Sequence, residues 1–350
     1  MSHPTIRTGE PLGLPRAWLL SNPGAGASRG RGLSTGLRTA VGALAEAGWT
    51  VTWHATDDPG HARRLAAEAV VQGIDIVVVA GGDGTANVVV NALVGSRTAL
   101  AVLPTGTANV LAAQLGLLAL PSPLQRPDLP AAAARLAEGV IRTVDTGLVV
   151  SPERGARHFL LWAGIGLDAA VTYELEHDSR DLKRALGPVA FGAVGLRFAG
   201  RGGSPAVVDC DGKRRRGRLV LGVVCNIPLY AGAIHLAPGA RIDDGQLDAA
   251  LLFGDSMLAA VQGFLGDDVR TAVHHLGTVL TGRPDDDVHT LAVKRAWIVA
   301  SPRLPVHVDG EPFGRTPVRL AVCPASLRLV VPSTAPAGLF AEAKAQGEAP

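Results

Sequence analysis

The chain of 350 residues is long enough for two domains of ordinary size. Hydrophobic residues make up 47% of the chain and charged residues 18%, so a sizeable core can form and global disorder is excluded. The net charge of +2 is too near neutral for a protein whose main partner is nucleic acid.

The spacing of the cysteines and the length of the apolar runs indicate the cellular compartment of the protein. Three cysteines stand alone at positions 210, 225 and 323, which argues against a disulfide framework or a zinc site and favours a reducing cytoplasm. Residues 1–15 have no apolar run, so we expect no signal peptide. No run approaches the roughly 20 apolar residues that a spanning helix needs. We therefore expect a cytoplasmic protein and leave open peripheral contact with the inner face of a membrane, and a homodimer.

The first part of the chain alternates between strand and helix patterns. Short links join these elements, which is typical of a parallel sheet flanked by helices. Loops rich in Gly, Asn and Thr follow three of the strands, and ligands bind such sheets at the carboxyl ends of strands. The predicted strands are 17–20, 49–54, 76–79 and 99–103, and the predicted helices are 33–47, 59–73, a segment after 87, one ending at 115, and 131–139.

The loop at residues 81–87 suits a phosphate group. Its glycines turn sharply and leave backbone N–H groups uncovered. We expect Thr85 and Asn87 to cap the following helix, whose positive end then faces the loop. Asp83 fits there if Mg²⁺ bridges it to the phosphate. The alternative is an ordinary strand-to-helix turn, which we disfavour because Asp between glycines gives up stability without a packing gain.

After a boundary near 140–145 the pattern changes to short strands separated by Gly, Pro and Asp turns, as in an antiparallel sandwich or barrel. Two helical stretches interrupt it, at about 168–198 and 256–277, and residues 336–350 either form a terminal helix or fray. The basic run 213–218 fits anionic lipid or nucleic acid, or equally a solvated hairpin turn. The predicted strands are 144–150, 158–163, 206–210, 218–225, 247–253, 290–299, 305–308, 318–322 and 327–331.

Five motifs in a fixed order resemble the diacylglycerol kinase / sphingosine kinase catalytic family, and in particular its bacterial soluble lipid kinases. They are Asn22-Pro23-x-x-Gly26, Gly81-Gly82-Asp83-Gly84-Thr85, Leu103-Pro104-x-Gly106-Thr107-x-Asn109, Asp243-Asp244-Gly245-x-Leu247-Asp248 and Asp309-Gly310-Glu311. The resemblance implies an α/β nucleotide-binding domain, 1–143 with a return of 327–345, and a β-sandwich lipid-substrate domain, 144–326. It implies a site in the cleft between them.

The resemblance also implies ATP and Mg²⁺ as cofactors and a lipid acceptor at a membrane surface. Thr56 and Thr107 would contact ATP, although each also suits a helix N-cap. Asp83 would carry the catalytic Mg²⁺. The implied ATP-binding residues are Asn22, Pro23, Gly24, Ala25, Gly26, Thr56, Gly81, Gly82, Asp83, Gly84, Thr85, Ala86, Asn87, Val88 and Thr107.

By the same resemblance Glu311 is the general base that takes the proton from the lipid hydroxyl. Taken alone, Asp309-Gly310 is a hairpin turn and Glu311 merely a turn residue. Backbone carbonyls of Arg241 and Gln246 and the carboxylate of Asp244 would hold a second, structural Mg²⁺. An Asp-Asp-Gly turn between strands is the alternative there.

Several observations leave alternatives open. Val110 stands where many family members have an Asp that joins a water-linked Mg²⁺ network with Asp83 and the Asp145 position. The segment 164–168 is either a cleft-lining element or a strand end with a helix N-cap. The apolar cluster at 191–198 either lines an acyl pocket or packs in the core, which we favour, and the pair His274-His275 is read as surface or core structure. An NAD kinase-like enzyme, or a catalytically weak nucleotide- or lipid-binding regulator, remain the alternatives to a lipid kinase.

Overall fold

The fold was obtained as a computed structural model, which describes residues 9–22, 31–118, 127–177, 202–230, 234–254 and 288–341. A parallel sheet opens it, in the strand order β3-β2-β4-β5. β4, Ile-Val-Val-Val-Ala-Gly, is buried from its first residue to its fifth, because helices cover both faces of such a sheet. This part comprises β1 Glu10–Pro11, β2 Arg16–Ser21, α1 Arg31–Glu46, β3 Thr50–Ala55, α2 Pro59–Val71, β4 Ile76–Gly81, α3 Asp83–Leu93, β5 Ala99–Pro104, α4 Val110–Gln114 and α5 Leu129–Ala137.

The remainder is dominated by antiparallel strands. Its inward side chains form a second apolar core around Phe159, Leu219, Leu251 and Ile298. The elements are β6 Val140–Ser151, β7 Gly155–Phe159, β8 Trp162–Gly166, α6 Leu167–His177, β9 Ser204–Cys210, β10 Lys213–Cys225, β11 Leu229–Tyr230, β12 Ile234–His235, β13 Leu247–Phe253, β14 Val288–Val293, β15 Arg295–Ala300, β16 Pro305–Val308, β17 Glu311–Arg315, β18 Val318–Val331 and a 3₁₀ turn, Ala337–Leu339.

The two parts share one hydrogen-bonded sheet, which the sequence patterns do not predict. β18 pairs in antiparallel fashion with β6 over most of its length and in parallel fashion with β5 at Leu329 and Leu100. The register shifts between Cys323 and Leu327, which explains why the sequence suggested two separate strands. The predicted fold class, a parallel sheet with helices followed by a β-rich domain, is confirmed.

Other predicted elements differ in detail. The predicted strand 290–299 is two strands, β14 and β15, and β17 is absent from the predicted strands. The basic run 213–218 lies within β10, directly after the positive-φ turn at Asp211 and Gly212. Within the described residues no helix is both long enough and apolar enough to cross a membrane. The 256–277 stretch, the cluster at 191–198 and His274-His275 lie outside the described residues.

Candidate active site

The loops that follow β4 and β5 touch each other at two glycines. Gly81 pairs with Pro104 at the ends of the two strands. A methyl group built on Gly106 would overlap the Cα of Gly82, and one built on Gly82 would lie 3.3 Å from the Cα of Gly106. The two loops therefore meet backbone to backbone at the carboxyl edge of the parallel sheet, where such sheets bind ligands.

Helix α3 begins directly at this contact. Its N-cap is Gly82, in an extended conformation, and no side chain caps the helix. The predicted capping by Thr85 and Asn87 is therefore wrong: the double-glycine turn is so tight that the helix starts at Asp83, and both residues lie inside it. A helix start without a side-chain cap leaves N–H groups available to an anion.

Asp83 ties the second loop to the first. Its Oδ2 accepts a hydrogen bond from the N–H of Val110 at 2.9 Å and its Oδ1 accepts one from the N–H of Leu111 at 3.1 Å. Burial raises the pKa of Asp83; the two N–H donors lower it and the nearby charge of Asp309 raises it again. The carboxylate of Asp83, the first residue of α3, thus caps helix α4. Asn109, the residue at the N-cap position of α4, has a left-handed backbone conformation with φ 50 and makes no side-chain cap.

Glu311 reaches this region from the far end of the sequence. Asp309 and Gly310 both have positive φ, 47 and 79, and connect β16 to β17 as the predicted hairpin turn. Glu311 is the first residue of β17, and a methyl group built on Gly84 would lie 2.6 Å from its Oε1. The exposed carboxylate of Glu311 therefore lies against the first turn of α3.

Asp309 fixes the hairpin in place. Its Oδ1 accepts the N–H groups of Leu161 and Trp162 at 3.0 Å each, and its Oδ2 accepts the N–H of Leu160 at 3.0 Å. Asp309 is 5% exposed, and burial raises its pKa despite these donors. The sequence predicted Asp309 as a turn residue and a member of the Asp309-Gly310-Glu311 motif, but not these hydrogen bonds.

Asn87 connects α3 to the same hairpin. Its Nδ2 donates to Asp309 Oδ2 at 2.7 Å and to the carbonyl of His158 at 2.9 Å, and its Oδ1 accepts from Arg157 Nε at 2.7 Å. Asn87 is 1% exposed. Both of its amide hydrogens are therefore used between elements of the protein, a role that sequence analysis missed.

The other expected nucleotide-binding residues surround the loops. Thr56 is buried and its N–H donates to the carbonyl of Ser21 at 2.7 Å, next to Asn22. Asn22 Nδ2 in turn donates to the carbonyl of Asp57 at 3.3 Å. The capping alternative for Thr56 is wrong, because Asp58 caps α2 through the N–H of His61.

Thr107 is exposed beside the loop contact, and the N-cap position of α4 belongs to Asn109, so capping does not explain Thr107 either. The side chain of Thr85 lies 2.9 Å from where a methyl group on Gly81 would be. Ala86 is buried and Val88 partly buried. Pro23, Gly24, Ala25 and Gly26 lie outside the described residues.

The expected second cation turn contains several carboxylates. Asp244 Oδ1 accepts the N–H of Gln246 at 2.9 Å, and Asp145 accepts the N–H groups of Gly245 at 2.6 Å and Ala325 at 2.7 Å. Burial raises the pKa of Asp145 and of Asp244, and burial together with the charge of Asp244 raises that of Asp248 to about 6. Within the described ranges no three His, Cys, Asp or Glu side chains are grouped to hold a metal. A cation there would need backbone carbonyls, such as those of Arg241 and Gln246.

The segment 164–168 lies beneath the Glu311 hairpin. Asp168 is the second residue of α6, where its carboxylate bonds to His307 and Tyr230. The segment 164–168 is therefore a strand end that leads directly into a helix, as the second alternative predicted, and Asp168 lies inside that helix.

Two family models match the chain in succession. The model described as diacylglycerol kinase catalytic domain matches residues 16–149. The model described as YegS C-terminal NAD kinase beta sandwich-like domain matches residues 163–331. Together these matches cover both the parallel and the antiparallel parts of the fold.

Individual proteins are also similar to this chain over most of its length. A Pseudomonas aeruginosa (strain UCBPP-PA14) protein named "Probable lipid kinase YegS-like" is 32% identical over 305 residues, covering 86% of this chain and 91% of that protein. A Bacillus subtilis (strain 168) protein named "Diacylglycerol kinase" is 30% identical over 277 residues, covering 78% and 82%. A crystal structure of a diacylglycerol kinase from Bacillus anthracis str. Sterne superposes with a TM-score of 0.65 at 22% identity, covering 90% of this chain and 96% of that one. This last likeness supports the fold alone.

Proposed function

The chain belongs to the lipid kinase family that includes diacylglycerol kinase, and we propose that it transfers the γ-phosphate of ATP to the hydroxyl group of a lipid with Glu311 as general base. One observation carries the proposal: Glu311 Oε1 lies 2.6 Å from the position of a methyl group on Gly84. A carboxylate at the start of an uncapped helix suits a proton acceptor next to a phosphate site.

The nucleotide would lie on the loops at the carboxyl edge of the parallel sheet. The glycine contact between Gly82 and Gly106 lets the phosphates approach backbone N–H groups closely. The exposure of Thr107 supports a hydroxyl contact with ATP, whereas Thr56 is buried and its support is only its position beside Asn22. The family resemblance implies further ATP contacts from Pro23, Gly24, Ala25 and Gly26, which lie outside the described residues.

Glu311 would act on the acceptor. Phosphoryl transfer needs mainly positioning and charge neutralisation, with a base that orients the attacking hydroxyl. The exposed Glu311 carboxylate would accept the hydroxyl proton as the lipid oxygen bonds to the γ-phosphorus, while the bond from that phosphorus to the β–γ bridging oxygen breaks and ADP leaves. The buried Asp309 and the Asn87 bond hold the turn, so the base is fixed against the nucleotide loop before substrate arrives.

The residues present fit a nucleotide-bound Mg²⁺. Each Asp83 oxygen accepts one N–H and keeps a further lone pair. Mg²⁺ is usually held by one or two carboxylates together with substrate phosphates and water. When bound, Mg²⁺ would neutralise phosphate charge. Val110 stands where the family resemblance implies a further Asp, and its backbone N–H donates to Asp83.

A second cation would bind at the turn of Arg241, Asp244 and Gln246. Its support is the concentration of carboxylates at this turn: burial raises the pKa values of Asp145, Asp244 and Asp248, and the charge of a neighbouring Asp243 or Asp244 raises them further. A cation held by Asp244 and the two backbone carbonyls would relieve that repulsion. Its role would be structural, because the turn is distinct from the Glu311 contact.

The acceptor would be a diacylglycerol- or sphingoid-type lipid taken from a membrane surface, with the protein bound peripherally.

The test incubates the protein with γ-labelled ATP, Mg²⁺ and an unfractionated lipid extract, and identifies the labelled product by mass spectrometry. Parallel reactions contain NAD instead of lipid. Labelled lipid supports the proposal; labelled NAD would favour an NAD kinase-like enzyme. ATP binding without transfer to either acceptor would favour a regulator.

A further inference from the structure

A chain of buried polar groups lies under the hairpin that carries Glu311. His307 on β16 is 1% exposed, and its Nε2 lies 2.5 Å from Asp168 Oδ2. The hydroxyl of Tyr230 donates to the other carboxylate oxygen of Asp168. Asp168 is 4% exposed and Tyr230 2% exposed. Neither the nucleotide site nor the acceptor step described above uses these groups.

The fold makes room for this pair with a glycine. Gly164 on β8 faces His307 on β16 in the sheet register. A methyl group on Gly164 would overlap both Asp168 Oδ2 and His307 Nε2. Any side chain at position 164 would therefore separate the imidazole from the carboxylate.

Hydrogen-bond donors fix the tautomer of His307. The N–H of Gly310 points to His307 Nδ1 at 3.3 Å. A backbone N–H can only donate, so Nδ1 carries the lone pair and the ring hydrogen sits on Nε2, where it is donated to Asp168. A carboxylate that accepts from one nitrogen of an imidazole commonly sets the role of the other nitrogen.

We propose that His307 is a positioning residue for Glu311. Its Nδ1 holds the N–H of Gly310, the turn residue that immediately precedes Glu311, and Asp168 with Tyr230 holds His307 in the tautomer that can accept this bond. His307 itself contacts neither nucleotide nor lipid. The inference rests on the proposed function, since it concerns the orientation of the proposed general base, Glu311.

A second contact from the same helix supports this assignment. The hydroxyl of Tyr173 on α6 donates to the carbonyl of Gly314 at 3.0 Å and accepts from its N–H at 2.7 Å. Helix α6 therefore holds β16 through Asp168 and β17 through Tyr173. Helix α6 thus contacts both strands of the hairpin, and of these two contacts the one at His307 is nearer the turn.

Two substitutions separate the two nitrogens of His307. In His307→Asn the amide oxygen lies near the position of Nδ1 and keeps the acceptor for Gly310. In His307→Gln the amide nitrogen lies near the position of Nε2, keeps a donor for Asp168 and loses the acceptor. We expect His307→Gln to lower kcat about thirtyfold with an unchanged KM for ATP, and His307→Asn to stay within about threefold of wild type. A merely structural role would lower thermal stability in both variants without separating their kcat values.

A second measurement does not depend on activity. Hydrogen exchange of the Gly310 amide should be faster in His307→Gln than in wild type and near wild type in His307→Asn. The ¹⁵N spectrum of histidine-labelled wild-type protein should show His307 protonated at Nε2 only. Protonated Nδ1, or equal Gly310 exchange in all three proteins, would overturn the proposal. If wild-type protein phosphorylates no lipid, the proposed function fails, while the exchange and the spectrum still decide the role of His307.

Discussion

Asn87 on helix α3 donates a hydrogen bond of 2.7 Å to the buried carboxylate of Asp309 in the β16–β17 turn. Helix α3 starts at the glycine loop, and the turn leads directly to Glu311. One side-chain bond therefore joins the element that would bind phosphate to the element that would supply the base. Four predictions follow from contacts in this region and at the cation turn.

Replacing Glu311 with Gln keeps the shape of the side chain and removes its ability to accept a proton. We expect kcat to fall by at least about a hundredfold, with ATP affinity within about twofold of wild type. Lipid phosphorylation and a separate ATP-binding titration measure the two effects. Glu46→Gln is the matched control, because Glu46 is exposed at the end of α1, at the opposite edge of the sheet. Full activity in the Glu311 variant would remove the assigned base.

Replacing Gly84 with Ala should separate stability from activity. The added methyl group would lie 2.6 Å from Glu311 Oε1, at the flexible end of that side chain, so Glu311 must move. Within helix α3, Ala is favoured over Gly by up to about 1 kcal/mol. We expect unchanged or slightly higher thermal stability together with a loss of activity of at least about tenfold.

Gly42→Ala is the control for this experiment. Gly42 lies inside helix α1, and a methyl group there would meet nothing within 4 Å. It should gain a similar increment of stability and keep wild-type activity. A Gly84→Ala enzyme as active as wild type would show that the Glu311 position is not critical.

Replacing Asn87 with Ala should destabilise the protein. It leaves Arg157 Nε, the His158 carbonyl and one Asp309 oxygen without their Asn87 partner, and Asn87 is 1% exposed. Loss of buried hydrogen bonds of this kind costs about 2–4 kcal/mol. Urea denaturation monitored by circular dichroism measures the change. Asn87→Asp should cost more at neutral pH, because it faces Asp309 with a second carboxylate; equal stability of Asp and Ala variants would contradict this.

The raised pKa of Asp248 should make the free energy of unfolding fall as pH rises. Burial, and then the charge of Asp244, raise its pKa from 3.8 to about 6 in the folded protein. Between these values the folded state binds more protons than the unfolded state, so the free energy of unfolding falls as pH rises through this window and stays lower above it. Asp248→Asn removes this penalty. We expect a gain of about 1 kcal/mol at pH 8, after allowance for partial exposure, that disappears below about pH 4.

Chemical denaturation at a series of pH values measures this difference. Glu46→Gln, at an exposed position, should show the wild-type pH dependence. Added Mg²⁺ should reduce the Asp248→Asn gain if a cation binds at Asp244, because the cation favours the ionised carboxylate. A gain that is the same at pH 4 and pH 8 would show that the titration of Asp248 is not its cause.

Local patterns predicted much of the fold because their causes are local. A continuous apolar run such as Ile76 to Ala80 forms a strand that is buried on both faces between helices. The Asp309-Gly310 pair adopts positive φ, which suits a hairpin turn between two paired strands. The predicted caps failed for the opposite reason. Thr85, Asn87 and Thr56 have good capping side chains, but Gly82 and Asp58 occupy the N-cap positions and tertiary partners take the amide of Asn87.

The sequence by itself determined the order of strands and helices, the glycine loops at strand ends and the family. The tertiary structure decided which distant residues meet: Glu311 with Gly84, Asp83 with the start of α4, His307 with Gly310, and β18 with both β5 and β6. The physical reason is that turn and helix preferences act between neighbours in the chain. Contacts between distant segments depend on how whole sheets pack, and packing is a property of the complete fold.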